Sequence, residues 1–511
     1  MRRRRIADHR RALRAALVAL LVAAAALAGC TSKPSNRDAP RTAAGTASWK
    51  PCMDVARLVT RSLPANVAFD CATVKVPQDW AHADNGRTFD IALIRARIAS
   101  QRNRIGSLVV NPGGPGASGI SLAVYLSRQL PVDVLRRFDL VGFDPRGVGR
   151  SSEVKCFSDA DLDAVFGTDP DPTSQAGYDA LAALYKRMAQ SCATKYGDSL
   201  TLFSTEQTAR DLDAIRQAVG DRKLNYLGYS YGTLLGATYA HLFGPKIRSF
   251  VLDGAVDPTQ DPINASQTQA AGFEHAFDNF SDWCKNNASR CPIGPDPRAA
   301  IDAALAQGRT SPVTGADGRK ATRGWISLAI VSALYSEDTW PDLAAAFDDL
   351  RRGDPHGVFA LADSYAERGS NGHYSNLFDA NAAIGCADDT DRSDAARIRN
   401  LQQQWRKAYP LFGGMLATGL LMCSEWRAAP DPYPTGKANG APPIVVVGTT
   451  GDPATPYEQT ARLAGMLGTG VVLTWQGEGH TAYPQTTCVT SAVDNYLIDL
   501  KVPPAGTVCP A

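Results

Sequence analysis

The chain has 511 residues, more than one small domain needs and enough for one large hydrophobic core with an insertion. Hydrophobic residues make up 44% and charged residues 20%, the balance of an ordinary soluble globular protein. The formal net charge is +2 and much of the basic excess lies before residue 15, so the composition gives no reason to expect a nucleic-acid partner.

Residues 1–29 have the pattern of an export signal. An Arg-rich start is followed by an apolar run over 15–28, which is too short to span a bilayer comfortably and ends in small residues. The run closes on Leu-Ala-Gly-Cys at Cys30, which resembles the lipobox of bacterial lipoproteins, where the signal is cut before a Cys that is then lipidated. We therefore expect a lipid anchor at Cys30 and a cell-membrane protein that faces the extracytoplasmic side. The alternative is an ordinary signal peptide with an incidental Cys.

The other cysteines agree with export. Ten remain without Cys30, an even number, and none has the CxxC spacing of a metal site, so disulfides are expected in an oxidising compartment. The sequence does not determine their pairing. We expect pairing in chain order, because each pair would then close a local loop, and Cys284–Cys291 would close the shortest. The ten residues are Cys52, Cys71, Cys156, Cys192, Cys284, Cys291, Cys386, Cys423, Cys488 and Cys509.

Strand-like and helix-like segments alternate through the first half of the chain, which predicts a mostly parallel sheet covered by helices. Two amphipathic or apolar helices, Thr205–Val219 and Tyr231–Leu242, flank one of the strands. The predicted strands in chain order, the first two of them antiparallel, are Thr73–Val76, Phe89–Arg95, Ser107–Val110, Asp139–Phe143, Leu224–Gly228 and Arg248–Leu252.

The pattern becomes mostly helical after residue 257, and strand signals return at Pro443–Val447 and Val471–Trp475 before a final helix, Thr490–Leu500. We therefore predict a flexible tether over 30–48 and one sheet domain formed by 49–257 and 436–511. A helical cap over 258–435 interrupts that domain. Its predicted helices include Ala270–Asn286, Ile326–Tyr335, Trp340–Arg352 and Ala396–Tyr409.

The segment Gly-Tyr-Ser-Tyr-Gly around Ser230 matches the G-x-S-x-G motif of a nucleophile elbow. The motif is short and often accidental, but here it lies between a predicted strand and a predicted helix, the context that the elbow requires. The turn would lift the Ser230 hydroxyl above the sheet and aim the Tyr231 backbone N–H at a developing oxyanion. The alternative is a tight turn with a solvent-exposed serine.

A serine nucleophile needs a general base, and the chain has seven histidines. His480 follows the last predicted strand, where an α/β-hydrolase fold places its base. The acid of this fold comes between the serine and the histidine in the chain, which selects Asp452, after the strand Pro443–Val447. Thr455 starts a Thr-Pro-Tyr-Glu segment that resembles a capping box, so we expect a helix to begin there and Thr455 to support the loop of Asp452.

An oxyanion hole needs a second N–H donor. The glycine-rich segment 111–116, Asn-Pro-Gly-Gly-Pro-Gly, follows the third predicted strand, and we assign the donor to Gly114; a plain glycine-rich turn is the alternative. Another glycine-rich segment, 142–149, lacks the Lys of a phosphate loop, and Asp144 and Arg146 within it are interpreted as structural. No metal and no organic cofactor is expected.

The elbow Gly-Tyr-Ser-Tyr-Gly-Thr, the Asn-Pro-Gly-Gly-Pro-Gly loop and the acid loop Gly-Asp-Pro-Ala-Thr-Pro together resemble the secreted tripeptidyl aminopeptidase family of actinobacteria. That family is related to prolyl aminopeptidases and includes lipoprotein proteases and esterases. The resemblance covers about residues 49–511 and is weakest in the cap. It implies an α/β-hydrolase with a helical cap, the triad Ser230, Asp452 and His480, and release of short peptides from the free N-termini of peptides or proteins.

An aminopeptidase has to recognise the substrate ammonium, which relatives do with acidic residues near the cap. Asp388, which is followed by a second aspartate and lies two residues after Cys386, an expected half-cystine, is the best local candidate, and a solvated acidic turn is the alternative. Two other functions stay open. A carboxylesterase would use the same triad, and a non-catalytic binding lipoprotein could share the fold.

Overall fold

A single sheet of ten strands runs through the part of the chain that the structure, a computed structural model, describes, residues 45–511. Its order is β1-β2-β3-β5-β4-β6-β7-β8-β9-β10. Strands β4 to β10 are mutually parallel, whereas β1, β2 and β3 join by antiparallel pairing. The strands are β1 Lys50–Pro51, β2 Val67–Pro77, β3 Thr88–Ile98, β4 Gly106–Asn111, β5 Phe138–Phe143, β6 Leu224–Tyr229, β7 Ile247–Asp253, β8 Ile444–Gly451, β9 Gly470–Glu478 and β10 Thr507–Cys509.

The central strands are apolar on both sides because helices cover both faces of the sheet. Every residue of β4, β5 and β6 is buried. Side chains alternate between the two faces along β4, so that Val109 packs into one core cluster and Leu108 and Val110 into the other. The first of these clusters continues without a break into the helical insertion, where it includes Phe273.

The helices that cover the sheet confirm the predicted alternation, and the two flanking β6 end within one residue of their predicted bounds. They are α1 Met53–Val59, α2 Gly119–Gln129, α3 Val132–Arg137, α4 Asp159–Gly167, α5 Gln175–Tyr196, α6 Thr205–Ala218, α7 Tyr231–Phe243, α17 Glu458–Leu467 and α18 Thr487–Asp499.

A helical insertion lies between β7 and β8, and with the sheet it confirms the predicted fold class, an α/β-hydrolase fold with a cap. Its helices are α8 Pro262–Asn286, α9 Pro297–Thr310, α10 Arg323–Leu334, α11 Trp340–Arg351, α12 His356–Ala366, α13 Leu377–Asp388, α14 Ala395–Ala408, α15 Gly413–Gly419 and α16 Leu421–Ser424.

Disulfides in the described residues pair the cysteines in chain order, as predicted. Two lie in the cap, Cys284–Cys291 and Cys386–Cys423. The other three are Cys52–Cys71, Cys156–Cys192 and Cys488–Cys509, the last of which ties β10 to α18. Cross-links of this kind stabilise a fold chiefly by restricting the unfolded chain.

The predicted signal, Cys30 and most of the predicted tether lie outside the described residues. Within residues 45–511, which belong to one compact unit, no helix is both long and apolar enough to cross a membrane.

Candidate active site

The predicted nucleophile lies at a strained turn between β6 and α7. Ser230 has φ 55° and ψ −125°, a left-handed backbone that a non-glycine residue adopts only when its surroundings enforce it. Its N–H donates to the Asp253 carbonyl (2.9 Å). The turn is so tight that a Cβ on Gly228 would lie 2.4 Å from the Gly232 carbonyl oxygen, which explains the small residues of the motif. This is the geometry of a nucleophile elbow.

The glycine-rich loop after β4 lies directly against the elbow. A Cβ on Gly113 would come within 2.9 Å of both the Ser230 Cβ and the Tyr231 N. The Gly113 N–H donates to Asn111 Oδ1 (3.0 Å), so that N–H is already used. Tyr231 is the first residue of α7, and the first N–H groups of a helix have no partner within it. The N–H groups of Tyr231 and Gly114 therefore remain our candidates for the oxyanion hole.

Asp452 and His480 form a direct pair at the same edge of the sheet. His480 Nδ1 is 2.9 Å from each carboxylate oxygen of Asp452. The carboxylate also accepts hydrogen bonds from the backbone N–H of Ala454 (2.9 Å) and Thr455 (2.8 Å). His480 Nε2 is buried and has no hydrogen-bond partner among the described residues, so the hydrogen bond to Ser230 that base catalysis needs is not formed in this structure.

The predicted helix start at Thr455 is wrong. Helix α17 begins at Glu458, and Thr455 Oγ1 instead donates to Asp452 Oδ2 (3.0 Å) and lies 3.4 Å from His480 Nδ1. The Thr455 hydroxyl is directed to the Asp452 carboxylate and not to the helix that follows, and the same carboxylate accepts the N–H groups of Ala454 and Thr455, so the chain turns once before the helix begins. The supporting contact between Thr455 and the loop of Asp452 is nevertheless present.

A second buried carboxylate, Asp253 at the end of β7, was not predicted. It accepts hydrogen bonds from the backbone N–H of Ala482 (3.0 Å) and Tyr483 (2.8 Å), and thereby holds the loop that carries His480. Burial raises the pKa of Asp253 to about 7. The predicted strand ended at Leu252, one residue before Asp253. A carboxylate at the end of a central parallel strand is the sequence signal that could have identified Asp253.

The electrostatics around His480 favour its protonated form. Burial by itself lowers the pKa of His480, but the Asp452 carboxylate beside it and the more distant Asp253 together raise the pKa above its ordinary value. An imidazole with a raised pKa is a stronger base, as a serine nucleophile requires.

The cap contacts the loop that carries His480 through the end of α10. The His480 N–H donates to the Tyr335 carbonyl (2.8 Å), and Ser336 forms a β-bridge with Gly479. The Tyr335 ring meets the His480 ring edge to face, with centroids 5.2 Å apart. The position of the base therefore depends on the cap as well as on the sheet.

Asp388 lies near the other side of the elbow and is already hydrogen-bonded. Its carboxylate accepts from the Thr205 N–H (2.8 Å) and the Thr205 hydroxyl (2.6 Å), and that hydroxyl is 2.5 Å from the Tyr231 hydroxyl. Burial raises the pKa of Asp388 to about 7 and that of Asp389 to about 6, and the charges of Asp389 and Asp431 also raise that of Asp388. Three carboxylates therefore share one region beside the residue that follows the nucleophile.

Asp144 and Arg146 are structural, as predicted. Asp144 accepts from the Ser118 hydroxyl (2.6 Å) and from the backbone N–H of Ile120 and Arg150, and so fixes the turn after β5. Arg146 is fully buried and forms a two-pronged ion pair with Asp211 (2.6 and 2.7 Å).

Family models match two parts of the chain. The model described as "alpha/beta hydrolase fold" matches residues 106–307, and the model described as "TAP-like protein" matches residues 409–509. The first match contains Ser230 and the second contains Asp452 and His480.

Curated relatives cover most of the chain. "Serine protease Hip1" of Mycobacterium tuberculosis (strain ATCC 25618 / H37Rv) is 39% identical over 482 residues, which cover 90% of this chain and 90% of the relative. "Carboxylesterase B" of Mycobacterium tuberculosis (strain CDC 1551 / Oshkosh) is 38% identical and covers 96% and 95%. "Tripeptidyl aminopeptidase" of Streptomyces lividans is 30% identical and covers 92% and 88%. With this fold and these relatives, the chain belongs to the tripeptidyl-aminopeptidase-like family of α/β-hydrolase-fold serine peptidases.

Proposed function

We propose that this serine peptidase is an exopeptidase that releases short peptides, tripeptides above all, from free N-termini, with Ser230, His480 and Asp452 as its triad. The observation that carries the assignment is the buried Asp452–His480 pair (2.9 Å) at the same sheet edge as the strained elbow of Ser230. The exopeptidase proposal is supported by the peptidase relatives, two of which are named "Tripeptidyl aminopeptidase".

The reaction proceeds in two acyl transfers. His480 Nε2 takes the proton of the Ser230 hydroxyl while Oγ bonds to the scissile carbonyl carbon, and Asp452 stabilises the imidazolium through Nδ1–H. The N–H groups of Tyr231 and Gly114 stabilise the oxyanion. The C–N bond then breaks, and His480 gives its proton to the leaving amine. Water, deprotonated by His480, cleaves the acyl-enzyme and releases the short peptide and the free serine.

The carboxylates of Asp388, Asp389 and Asp431 are our candidates for the ammonium site. The raised pKa values of Asp388 and Asp389 mean that ionisation is costly there, because burial and like charges oppose it. A substrate ammonium would relieve both costs. An ammonium site at a fixed distance from Ser230 would also set the number of residues between the substrate N-terminus and the scissile bond, and so limit the product to a tripeptide.

A profile of matched peptides tests the proposal. We expect kcat/KM on a tripeptide amide with a free N-terminus to exceed that on its N-acetyl form by about 30-fold or more, since an unpaired buried charge partner is costly. The dipeptide and tetrapeptide amides should be poorer substrates than the tripeptide amide. Equal rates for free and acetylated peptides would contradict the exopeptidase proposal.

A carboxylesterase is the second candidate, favoured by the relative named "Carboxylesterase B". Acyl transfer to water is the same in both reactions, so the pocket decides between them. Faster turnover of short acyl esters than of any free peptide would favour the esterase.

We also propose that the protein is exported and anchored through a lipid on Cys30. The disulfides agree with an oxidising compartment. Replacing Cys30 with Ala should abolish acylation without changing kcat/KM of any soluble form, and an acylated product from that variant would refute the anchor.

A further inference from the structure

The loops at one edge of the sheet carry a strong excess of positive charge. Since β4 to β10 are parallel, the loops that enter these strands meet at one edge, opposite the edge where the elbow and Asp452 lie. Strand β2 has the same direction as β5, because both pair antiparallel with β3. We call this surface the amino-edge face. It comprises residues 58–66, 99–105, 130–137, 219–223, 244–246, 436–443, 468–469 and 500–506.

The amino-edge face opposes the charge of the rest of the molecule. It contains ten Lys and Arg residues and two Asp residues, whereas residues 45–511 as a whole contain 43 basic and 49 acidic residues. The cap contributes to the acidic remainder, with 22 acidic and 16 basic residues over 258–435. The basic residues of the amino-edge face are Arg61, Arg102, Arg104, Arg136, Arg137, Arg222, Lys223, Lys246, Lys437 and Lys501.

Ion pairs at this surface neutralise only part of its charge. Arg136 pairs with Asp133 (2.9 Å), Arg104 pairs with Asp139 of β5 (2.9 Å), and Lys501 lies 3.5 Å from Asp499 at the end of α18. Arg102, Lys223 and Lys246 are exposed. A surface cleft is lined by Arg102, Arg136 and Arg137 and also by three aspartates, Asp133, Asp494 and Asp499, so the charge is balanced within the cleft and the basic excess lies in the other loops.

Large apolar side chains are exposed among these charges. Leu58 is 76% exposed, Val132 46%, Leu500 46% and Val502 37%, and all four lie in the amino-edge face. Single exposed apolar side chains are common on soluble proteins, but those that stand among basic groups on one face can enter a bilayer interface. Basic groups interspersed with protruding apolar residues are the combination that binds an anionic lipid surface.

The described part of the chain also starts close to this face. The Ala47 N–H donates to the Ala218 carbonyl (2.8 Å) at the end of α6, immediately before the basic loop 219–223. Cys30, the proposed lipid site, precedes Ala47 by 17 residues. A lipid on Cys30 would therefore be tethered to the chain beside the amino-edge face.

We propose that the amino-edge face binds the surface of an anionic bilayer, with the cap and the active site turned outward. Basic groups would pair with lipid headgroups while Val132, Leu500 and Val502 enter the headgroup region. The binding belongs to the folded domain itself and does not require acylation of Cys30. It would hold the mouth of the active site away from the membrane, accessible to peptides in the surrounding medium.

Vesicle binding by the unacylated protein tests the proposal. A protein that begins at residue 31 contains the entire compact unit and all five disulfides of the described residues, so its fold is complete. It should co-sediment with vesicles of phosphatidylcholine and phosphatidylglycerol, weakly with pure phosphatidylcholine, and less as salt rises. Three sets of variants separate the contributions. The amino-edge charge reversal combines Arg102→Glu, Lys223→Glu and Lys246→Glu. The cap control combines Lys320→Glu, Lys407→Glu and Arg427→Glu. The apolar variant combines Val132→Ser, Leu500→Asn and Val502→Ser.

The amino-edge charge reversal should weaken binding to anionic vesicles by about 100-fold or more, since each of the three basic groups near such a surface contributes about fivefold. The cap control should bind like the wild type, and all variants should keep wild-type kcat/KM on a soluble substrate. The apolar variant should weaken vesicle binding but not retention on a soluble polyanion such as heparin. Equal losses in both charge reversals would overturn the proposal, and so would an apolar variant with unchanged vesicle binding, which would point to a polyanion instead.

Discussion

The backbone N–H of His480 donates a hydrogen bond of 2.8 Å to the carbonyl of Tyr335, which caps the C-terminus of the cap helix α10. The predicted base is therefore positioned by the cap. The Tyr335 ring also packs edge to face on the imidazole, and its hydroxyl lies 3.5 Å from that of Tyr365. Removing the ring should therefore loosen the imidazole without removing the backbone contact.

We expect Tyr335→Ala to lower kcat by about tenfold to 100-fold, the cost of misplacing a catalytic group by a fraction of an ångström. The matched variant Tyr335→Phe keeps the ring and should stay within about threefold of the wild type. Steady-state kinetics on one peptide substrate measures both. If the two variants lost activity equally, the hydroxyl and not the ring contact would be responsible.

Ser230→Ala should reduce turnover by about 10⁴- to 10⁶-fold and leave the fold intact, because it removes the nucleophile alone. Covalent labelling by a fluorophosphonate probe should disappear together with activity, while the circular dichroism spectrum stays unchanged. A variant that kept a tenth of the wild-type rate would show that the elbow was wrongly assigned.

The pH dependence of kcat/KM should report the environment of His480. Since Asp452 and Asp253 raise the pKa of His480 above its usual value despite burial, the base is protonated and inactive at low pH, and activity should rise as pH passes that raised pKa. Replacing Asp253 with Asn removes a carboxyl group that, with its own pKa of about 7, is only partly ionised where His480 titrates, so the acidic limb should move slightly to lower pH. A merely structural role of Asp253 would lower the rate without moving the limb.

The parts of this site that the sequence predicts are those encoded by short, local patterns. Ser230 was selected as the candidate nucleophile because a strand, a constrained turn and a helix follow one another within a few residues. Asp452 and His480 follow from chain order and from their positions after strands. Their contact, 28 residues apart in the chain, is what the structure adds.

The parts that were missed depend on contacts between distant segments. Asp253 and the loop at Ala482 lie 229 residues apart, and no local pattern links them. Tyr335 contacts His480 through a backbone carbonyl, which every residue type possesses, and through a ring that comes from a distant part of the chain, so no local pattern indicates its role. The wrong helix start at Thr455 has a similar origin, because the Thr455 hydroxyl donates to the Asp452 carboxylate instead of capping the helix that follows.

The proposed role of Asp388 predicts that activity and stability respond in opposite directions. Its pKa of about 7 means that the folded protein retains this proton up to about pH 7, whereas the unfolded chain releases it near pH 4. The contribution of Asp388 to the free energy of unfolding is therefore fully present at low pH and is lost as pH rises to about 7. Asn cannot ionise, and its side chain can still accept the Thr205 N–H. Asp388→Asn should thus be at least as stable as the wild type above pH 7, as thermal unfolding would measure.

The same variant should lose about 30-fold or more in kcat/KM on peptides with a free N-terminus, because one partner of a charge pair is missing. It should hydrolyse a small neutral ester at the wild-type rate, since that reaction needs only the triad and the oxyanion hole. Asp302→Asn, which removes an exposed carboxylate in the cap, serves as the control and should change neither rate. If Asp388→Asn lost ester and peptide hydrolysis equally, its effect would come from the Thr205 and Tyr231 hydroxyls beside the elbow, and the ammonium site would lie elsewhere.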